Sequence, residues 1–219
     1  DELSQSAAPL AKMRMVDDTG GLIRAPEVVF ASSDLELNEF GFNILNDRLN
    51  NVLEDRCALE KTLTIFPEQA ASIETSSEHV QIQTASGETV RARLAVAADG
   101  RKSLLRDAAG SDVKTWTYPQ VAVVLNVEHR RPHNSVSTEF HTQTGPFTLV
   151  PLPGNMSSIV CVETAEGAAM LCAMKPDDLA LELEHRAHSI LGSFKLASQV
   201  KSFPLSGMNA SRLVGNRIA

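Results

Sequence analysis

The sequence predicts an α/β fold, α+β overall, in which part of a three-layer α/β domain is joined to an antiparallel β-sheet domain. Three observations carry that prediction. The apolar run Leu94-Ala95-Val96-Ala97-Ala98 suits a strand covered on both faces, and it meets a sharp Asp99-Gly100 turn before a helical stretch to Arg106. Strand-like segments then recur at hairpin spacing beyond Gly110. Finally, Pro176-Asp177-Asp178 opens a helix with a leucine stripe, because proline suits the first turn and acids suit the positive end of the helix dipole.

The elements follow in order. Residues 1–9 read as the end of a helix or a loop. Lys12 to Val16 alternates as a strand, Asp17 to Gly21 is a turn, and Leu22-Ile23-Arg24 and Val28-Val29-Phe30 read as its return. Pro26 cannot donate to a ladder, so that return is expected at an edge. A short strand at Gly41 to Leu45 leads into a helix over 46–55, with Asn46 as its cap and Leu49, Val52 and Leu53 as its apolar stripe. Thr62 to Phe66 reads as a strand ended by Pro67. His79 to Thr84 and Thr89 to Arg93 form a hairpin about Ser86-Gly87.

Beyond Gly110 the pattern becomes antiparallel, with strands over 121–127, 135–141, 147–152 and 157–163. A helix over 176–191 buries Leu179, Leu183, Ala187, Ile190 and Leu191, and Gly192 stops it. Further strands are expected over 194–203 and 211–219. The domain expectation is therefore 1–112 with a strand excursion over 10–31, then an antiparallel sheet and its helix over 113–205, then a return to the first domain over 206–219.

Composition narrows the function. The 219 residues are 43% hydrophobic and 21% charged, as in ordinary globular chains. A net charge of -7 opposes a nucleic-acid surface. No apolar run reaches the length of a membrane span, and no signal peptide opens the sequence. Cys57, Cys161 and Cys172 lack zinc-site spacing, and their odd number fits a reducing compartment. A cytoplasmic location follows as the expectation, with the inner-membrane surface left open.

Ala98-Asp99-Gly100-x-x-Ser103-x-x-Arg106 resembles the ADG-x-x-S-x-x-R signature of class A flavoprotein aromatic monooxygenases, the para-hydroxybenzoate hydroxylase fold. Trp116 to Gln120, Glu139-Phe140, Gly145 to Pro153 and Phe203-Pro204-Leu205 are similar in order and spacing to the ubiquinone-biosynthesis hydroxylase branch. The resemblance implies a partial FAD/NAD(P)-binding domain beside a substrate sheet. It also implies FAD and NAD(P)H as cofactors and hydroxylation of a phenolic ring, most specifically a polyprenylated ubiquinone precursor. On the cofactor side it points to Asp99, Gly100, Ser103 and Arg106. The last two can equally cap and anchor a helix. On the substrate side it points to Phe140, Phe147 and Pro151. One departure stands out: the family's helix often begins with an arginine that helps place the flavin, and Asn46 occupies that place.

No catalytic residue is assigned, and none is demanded, because a flavin supplies the difficult chemistry while the protein binds, orients and excludes water. Ser103 and Ser206 lack a nucleophile elbow. His185 and His188 lack partners at a known metal-ligand spacing, so no metal site is assigned. His129, His133 and His141 read as solvated hairpin residues. Phe140, Phe147 and Phe203 are read either as sheet core or as the wall of an aromatic pocket.

The family's G-x-G-x-x-G does not occur in the sequence. The chain is accordingly expected to be an internal fragment of a longer enzyme, with sheet edges open to homodimer formation. Association with a membrane surface or with ubiquinone-pathway proteins stays open. Two alternatives remain: a non-catalytic module that keeps the substrate sheet, and a related flavin oxidoreductase.

Overall fold

A computed structural model describes residues 2–219; Asp1 of the expected terminal segment lies outside them. The chain divides into two compact units. The first comprises residues 1–60 and 118–205, the second 61–117 and 206–219.

The first unit starts with α1 (Glu2–Gln5), β1 (Ala8–Leu10), β2 (Lys12–Asp17), β3 (Val28–Ala31), β4 (Gly41–Asn43) and α2 (Asn46–Leu59). The second unit then supplies β5 (Ala70–Thr75), β6 (Val80–Thr84), β7 (Thr89–Ala92) and α3 (Leu104–Ala108). A long strand, β8 (Val113–His129), returns the chain to the first unit. There follow β9 (Val136–His141), β10 (Pro146–Leu152), β11 (Met156–Thr164), α4 (Ala165–Ala173), α5 (Pro176–Arg186), β12 (Phe194–Leu196) and β13 (Lys201–Ala210).

The main sheet has the order β12-β8-β11-β10-β9-β2-β3, with β13 also on β8. Along that order the pairings are antiparallel except β2 on β9, which is parallel. The register explains its core. Val123, Cys161, Phe147, Phe140 and Val16 form one row across β8, β11, β10, β9 and β2. Side chains alternate across a pleated sheet, so this row and the neighbouring row Leu125-Ile159-Leu149 point to one face. There they pack with Leu171 of α4 and with Leu179, Leu183 and Ala187 of α5 and its end.

α5 begins as its sequence dictates, with Pro176 in the first turn and acids behind it. It ends at Arg186, short of the expected Leu191, because His188 and Ser189 adopt left-handed backbone. The His188 ring turns onto Asp18, 3.0 Å away, and onto the Phe140 ring. This tertiary contact outcompetes another helical turn, yet Leu191 still reaches the core.

Other expectations change. Leu22 to Arg24 is an exposed loop rather than a return strand, although β3 does lie at the sheet edge. Leu45, not Asn46, occupies the N-cap position of α2, with no side-chain capping bond, and of the expected stripe only Val52 is buried. Residues 62–66 form no strand; β5 over 70–75 takes the place beside β6. The 94–98 run is not a covered strand. It pairs in parallel with 217–219 through the Ala95–Ile218 bridge and a bond from the Ala97 amide to the Ala219 carbonyl, and Leu94 and Val96 stay exposed. Residues 211–219 are turns with isolated bridges. α4 went unread in the sequence, although Thr164 caps it by accepting from the Gly167 amide at 3.1 Å.

Leu183 is fully buried between α5 and the sheet. Leu183→Ala is expected to cost about 2–5 kcal/mol of folding free energy, read as a lower urea midpoint at an unchanged slope.

Candidate functional site

The Asp99-Gly100 turn belongs to the second unit. A single 3-10 turn over Gly100–Lys102 leads into α3. Ser103 caps α3 by accepting from the Arg106 amide at 3.0 Å, and Asp99 Oδ2 accepts from the Leu104 amide at 2.9 Å. The Ser103 hydroxyl, more than any other group, holds the Asp99 carboxyl below the usual carboxylate range. Arg106 folds back within the same element. Its Nη1 donates to the Arg101 carbonyl at 2.9 Å, and its Nη2 meets Asp107 at 2.9 Å. Ser103 and Arg106 therefore fix the turn from inside, while Asp99 and Gly100 face outward.

Gly100 has φ +79, a left-handed conformation that favours glycine, and a Cβ there would meet nothing within 4 Å. Backbone shape, not crowding, requires the glycine, and the ground above it is open. Leu94 and Val96 are likewise bare on the preceding segment. Further along, Gly207 admits the Trp116 ring, which leaves no room for a Cβ at that position.

In the first unit, the face of the main sheet opposite its helices carries a cavity of about 780 Å³. Val124, Asn126, Val150, Leu152 and Ser158 line it, alternating with the core rows. Residues 42–47, Ser198, Lys201 and Phe203 close its sides. Apolar and polar side chains share the wall, the polar ones including Asp47, Asn126, Ser158 and Lys201. One polar group is unsatisfied: Asn43 Nδ2 is buried without a hydrogen-bond partner among the described residues. A buried donor with no acceptor costs free energy that an acceptor-bearing ligand can recover.

The aromatic residues divide between the two faces. Phe140 and Phe147 pack together with ring centroids 5.9 Å apart inside the helix-covered core, and Pro151 is buried on the same face. Phe203 lines the cavity and is half exposed. Sequence periodicity finds both faces of a strand but cannot say which one the helices cover. The cavity residues Val124, Asn126, Val150 and Ser158 were therefore missed, as was Asn43.

The expectation for His129 also changes. It is buried, not solvated. Its Nδ1 lies 2.7 Å from the Arg131 carbonyl, which can only accept, so Nδ1 carries the proton and Nε2 accepts from Ser157 at 3.0 Å. Burial lowers its pKa. Cys161 is likewise inert in its setting, since burial pushes the thiol up to about 11.

The chain matches the family described as "FAD binding domain" over residues 42–218. It is 31% identical to the ubiquinone hydroxylase UbiL of Rhodospirillum rubrum, over all of this chain and 50% of that protein. It is 26% identical to the 3-demethoxyubiquinol 3-hydroxylase of Escherichia coli, over 85% of this chain and 48% of that protein. The chain thus spans about half the length of these curated relatives. Among solved structures, Pseudomonas aeruginosa PqsL in complex with 2-aminobenzoylacetate superposes with a TM-score of 0.79 at 16% identity, covering 100% of this chain and 61% of that one.

Because folding lowers the His129 pKa, the unfolded chain binds more protons below about pH 6.5. The His129 contribution to stability is complete above that pH and is lost as pH falls towards the folded-state value. Urea midpoints should decline from pH 7.5 to 5.5, with this group adding at most about 1.4 kcal/mol per pH unit, and His129→Gln should flatten the decline.

Proposed function

This chain belongs to the FAD binding domain family of class A flavin monooxygenases, and we propose that it is the substrate-binding and part of the flavin-binding portion of an FAD-dependent, NAD(P)H-using hydroxylase acting on a phenolic ring. The finer reading is a polyprenylated phenol of ubiquinone biosynthesis. The ubiquinone hydroxylase relatives support that substrate class.

The observation that carries the reading is the unsatisfied Asn43 donor among the residues that line a cavity with an apolar stretch at Val124, Val150 and Leu152. A phenol or quinone offers both things this cavity asks for: an apolar ring for Val124, Val150 and Leu152, and an oxygen that accepts from Nδ2. Asn126 and Ser158 sit opposite each other on β8 and β11 and offer further polar positions along the same wall. The cavity residues orient the ring and keep water from it. The Asp99-Gly100 turn would hold part of the flavin, offering the open Gly100 backbone and the Asp99 carboxylate, which its hydrogen bonds keep ionised. When bound, the flavin supplies the activation of oxygen, which no side chain of this chain can provide. Ser103 and Arg106 act as positioning residues for the turn.

Asn43→Leu separates binding from folding. It removes an unsatisfied buried polar group at similar volume, so the urea midpoint should hold or rise. Affinity for a phenolic ligand should fall roughly tenfold, measured by calorimetric titration, and kcat/KM in the whole protein with FAD and a reduced nicotinamide should fall with it. Unchanged affinity would remove Asn43 from the site. Absence of flavin binding and turnover in the whole protein would favour a non-catalytic module that retains the substrate sheet.

A further inference from the structure

The helix-covered face of the main sheet ends in residues that a core would not ask for. The core row Leu125-Ile159-Leu149 continues across β9 and β2 into Thr138 and then Arg14. Residues of one row share a face, so a hydroxyl and a cation stand where the row has so far been apolar. α5 stops at Arg186, and beyond it Ile190 and Leu191 join these residues around a cavity of about 330 Å³. The cavity belongs to the first unit, and it lies on the other side of the sheet from the one assigned to a phenolic ring. Leu149 lines this cavity, whereas Val150 lines that one.

The floor is apolar and the rim is cationic. Leu149 and Leu191 are buried, with Val136 and Ile190 partly so, while Lys12 and Arg14 stand at alternate positions of β2. Glu27 is the one acid in the lining. Two cations thus face one acid, in a chain whose net charge is -7. Arg131 adds a third cation beside the wall, its Nη1 donating to the Ser189 carbonyl at 3.2 Å.

Arg14 is fixed in place. Its Nε and Nη2 both donate to the buried Thr138 hydroxyl, at 3.3 and 3.2 Å. Nη1 makes no hydrogen bond among the described residues, and Glu27 stands off from it at 3.8 Å. A guanidinium is a rigid fork of five donors, so one held by one edge offers another to an oxyanion. His133 is wall and not ligand, because both ring nitrogens are engaged. Its Nδ1 accepts from the Ser135 amide at 3.0 Å, and its Nε2 meets the Leu152 carbonyl at 2.9 Å. The backbone on both sides of the cavity is strained. Asn134 and Ser135 are left-handed, as are His188 and Ser189 ahead of Ile190. Packing must impose such conformations, and ligand clamps are among the places that keep them.

We propose that this cavity binds a small organic carboxylate with an apolar body. The carboxylate replaces Glu27 as the partner of Arg14 Nη1 and pairs with Lys12, and the body lies on Leu149, Ile190 and Leu191. The site is separate from the one that takes the ring to be hydroxylated.

The test is titration of methyl-labelled protein with benzoate and with benzyl alcohol, its uncharged counterpart. Benzoate should shift the methyls of Val136, Leu149 and Leu191. At low salt it should bind about tenfold more tightly than benzyl alcohol, and added salt should narrow the difference. Arg14→Gln should abolish that preference and leave benzyl alcohol binding unchanged. Glu27→Gln should tighten benzoate about threefold, because the competing carboxylate is gone. Thr138→Val should weaken benzoate binding by releasing the guanidinium, and Thr138→Ser, which keeps the hydroxyl, should restore it. The proposal is overturned if benzoate and benzyl alcohol bind alike, or if Arg14→Gln, folded by circular dichroism, binds benzoate as the parent does. It is overturned equally if no methyl on this face moves, or if the benzoate shifts centre on Val124 and Val150 across the sheet. The two cavities share no lining residue, and no readout involves flavin or turnover. Failure here therefore leaves the hydroxylase reading standing, and the reverse also holds.

Discussion

The alternation of side chains across the main sheet is the constraint from which the rest of the first unit follows. Each of β8, β9, β10 and β11 sends every second residue to one face. On that face the rows through Phe140, Phe147, Cys161 and Val123 are sealed by α4 and α5. The residues between them are thereby committed to the other face. A one-residue slip in register would exchange the two sets and leave neither a core nor a cavity. The core thus fixes the positions of Val124, Asn126, Val150 and Ser158 without any of them contributing much to it.

The Asp99-Gly100 turn uses a different economy of parts. Two side chains, Asp99 and Ser103, satisfy amides at the start of one short helix, and Arg106 fastens that helix to the turn before it. A five-residue helix has little stability of its own, so such caps decide whether it forms. The outward side of the turn stays bare because its inward side is already satisfied. A structural role for Ser103 and Arg106 and a ligand-facing role for Gly100 are therefore compatible within one motif.

Much of this was legible in the sequence. The hairpin strands from Val121 to Glu163, the proline-led α5 and the turn-helix after Ala98 are written in strong local signals: alternation, a first-turn proline, a capping serine. Less legible were features set by distant partners. His188 ends α5 because Asp18 and Phe140 meet it, and His129 is buried because the Arg131 carbonyl and Ser157 hold it. Leu94 to Ala98 has the composition of a covered strand, but composition cannot supply neighbours, and the run pairs along one side with 217–219, through Ala95 and Ala97. The same limit applies to the site. The signature residues around Asp99 could be read, whereas Asn43 becomes notable only when its amide is seen to lack an acceptor.

The proposed function requires the uncovered face of the main sheet, not its helix-packed face, to receive an aromatic ring. The most direct measurement is chemical-shift mapping of isotope-labelled protein during titration with a simple phenol. Shifts should saturate together at Val124, Val150, Leu152 and Ser158 and at the Asn43 side-chain amide, with Phe140 and Phe147 unmoved. Saturating shifts centred on Phe140 and Phe147, with the cavity residues silent, would contradict it.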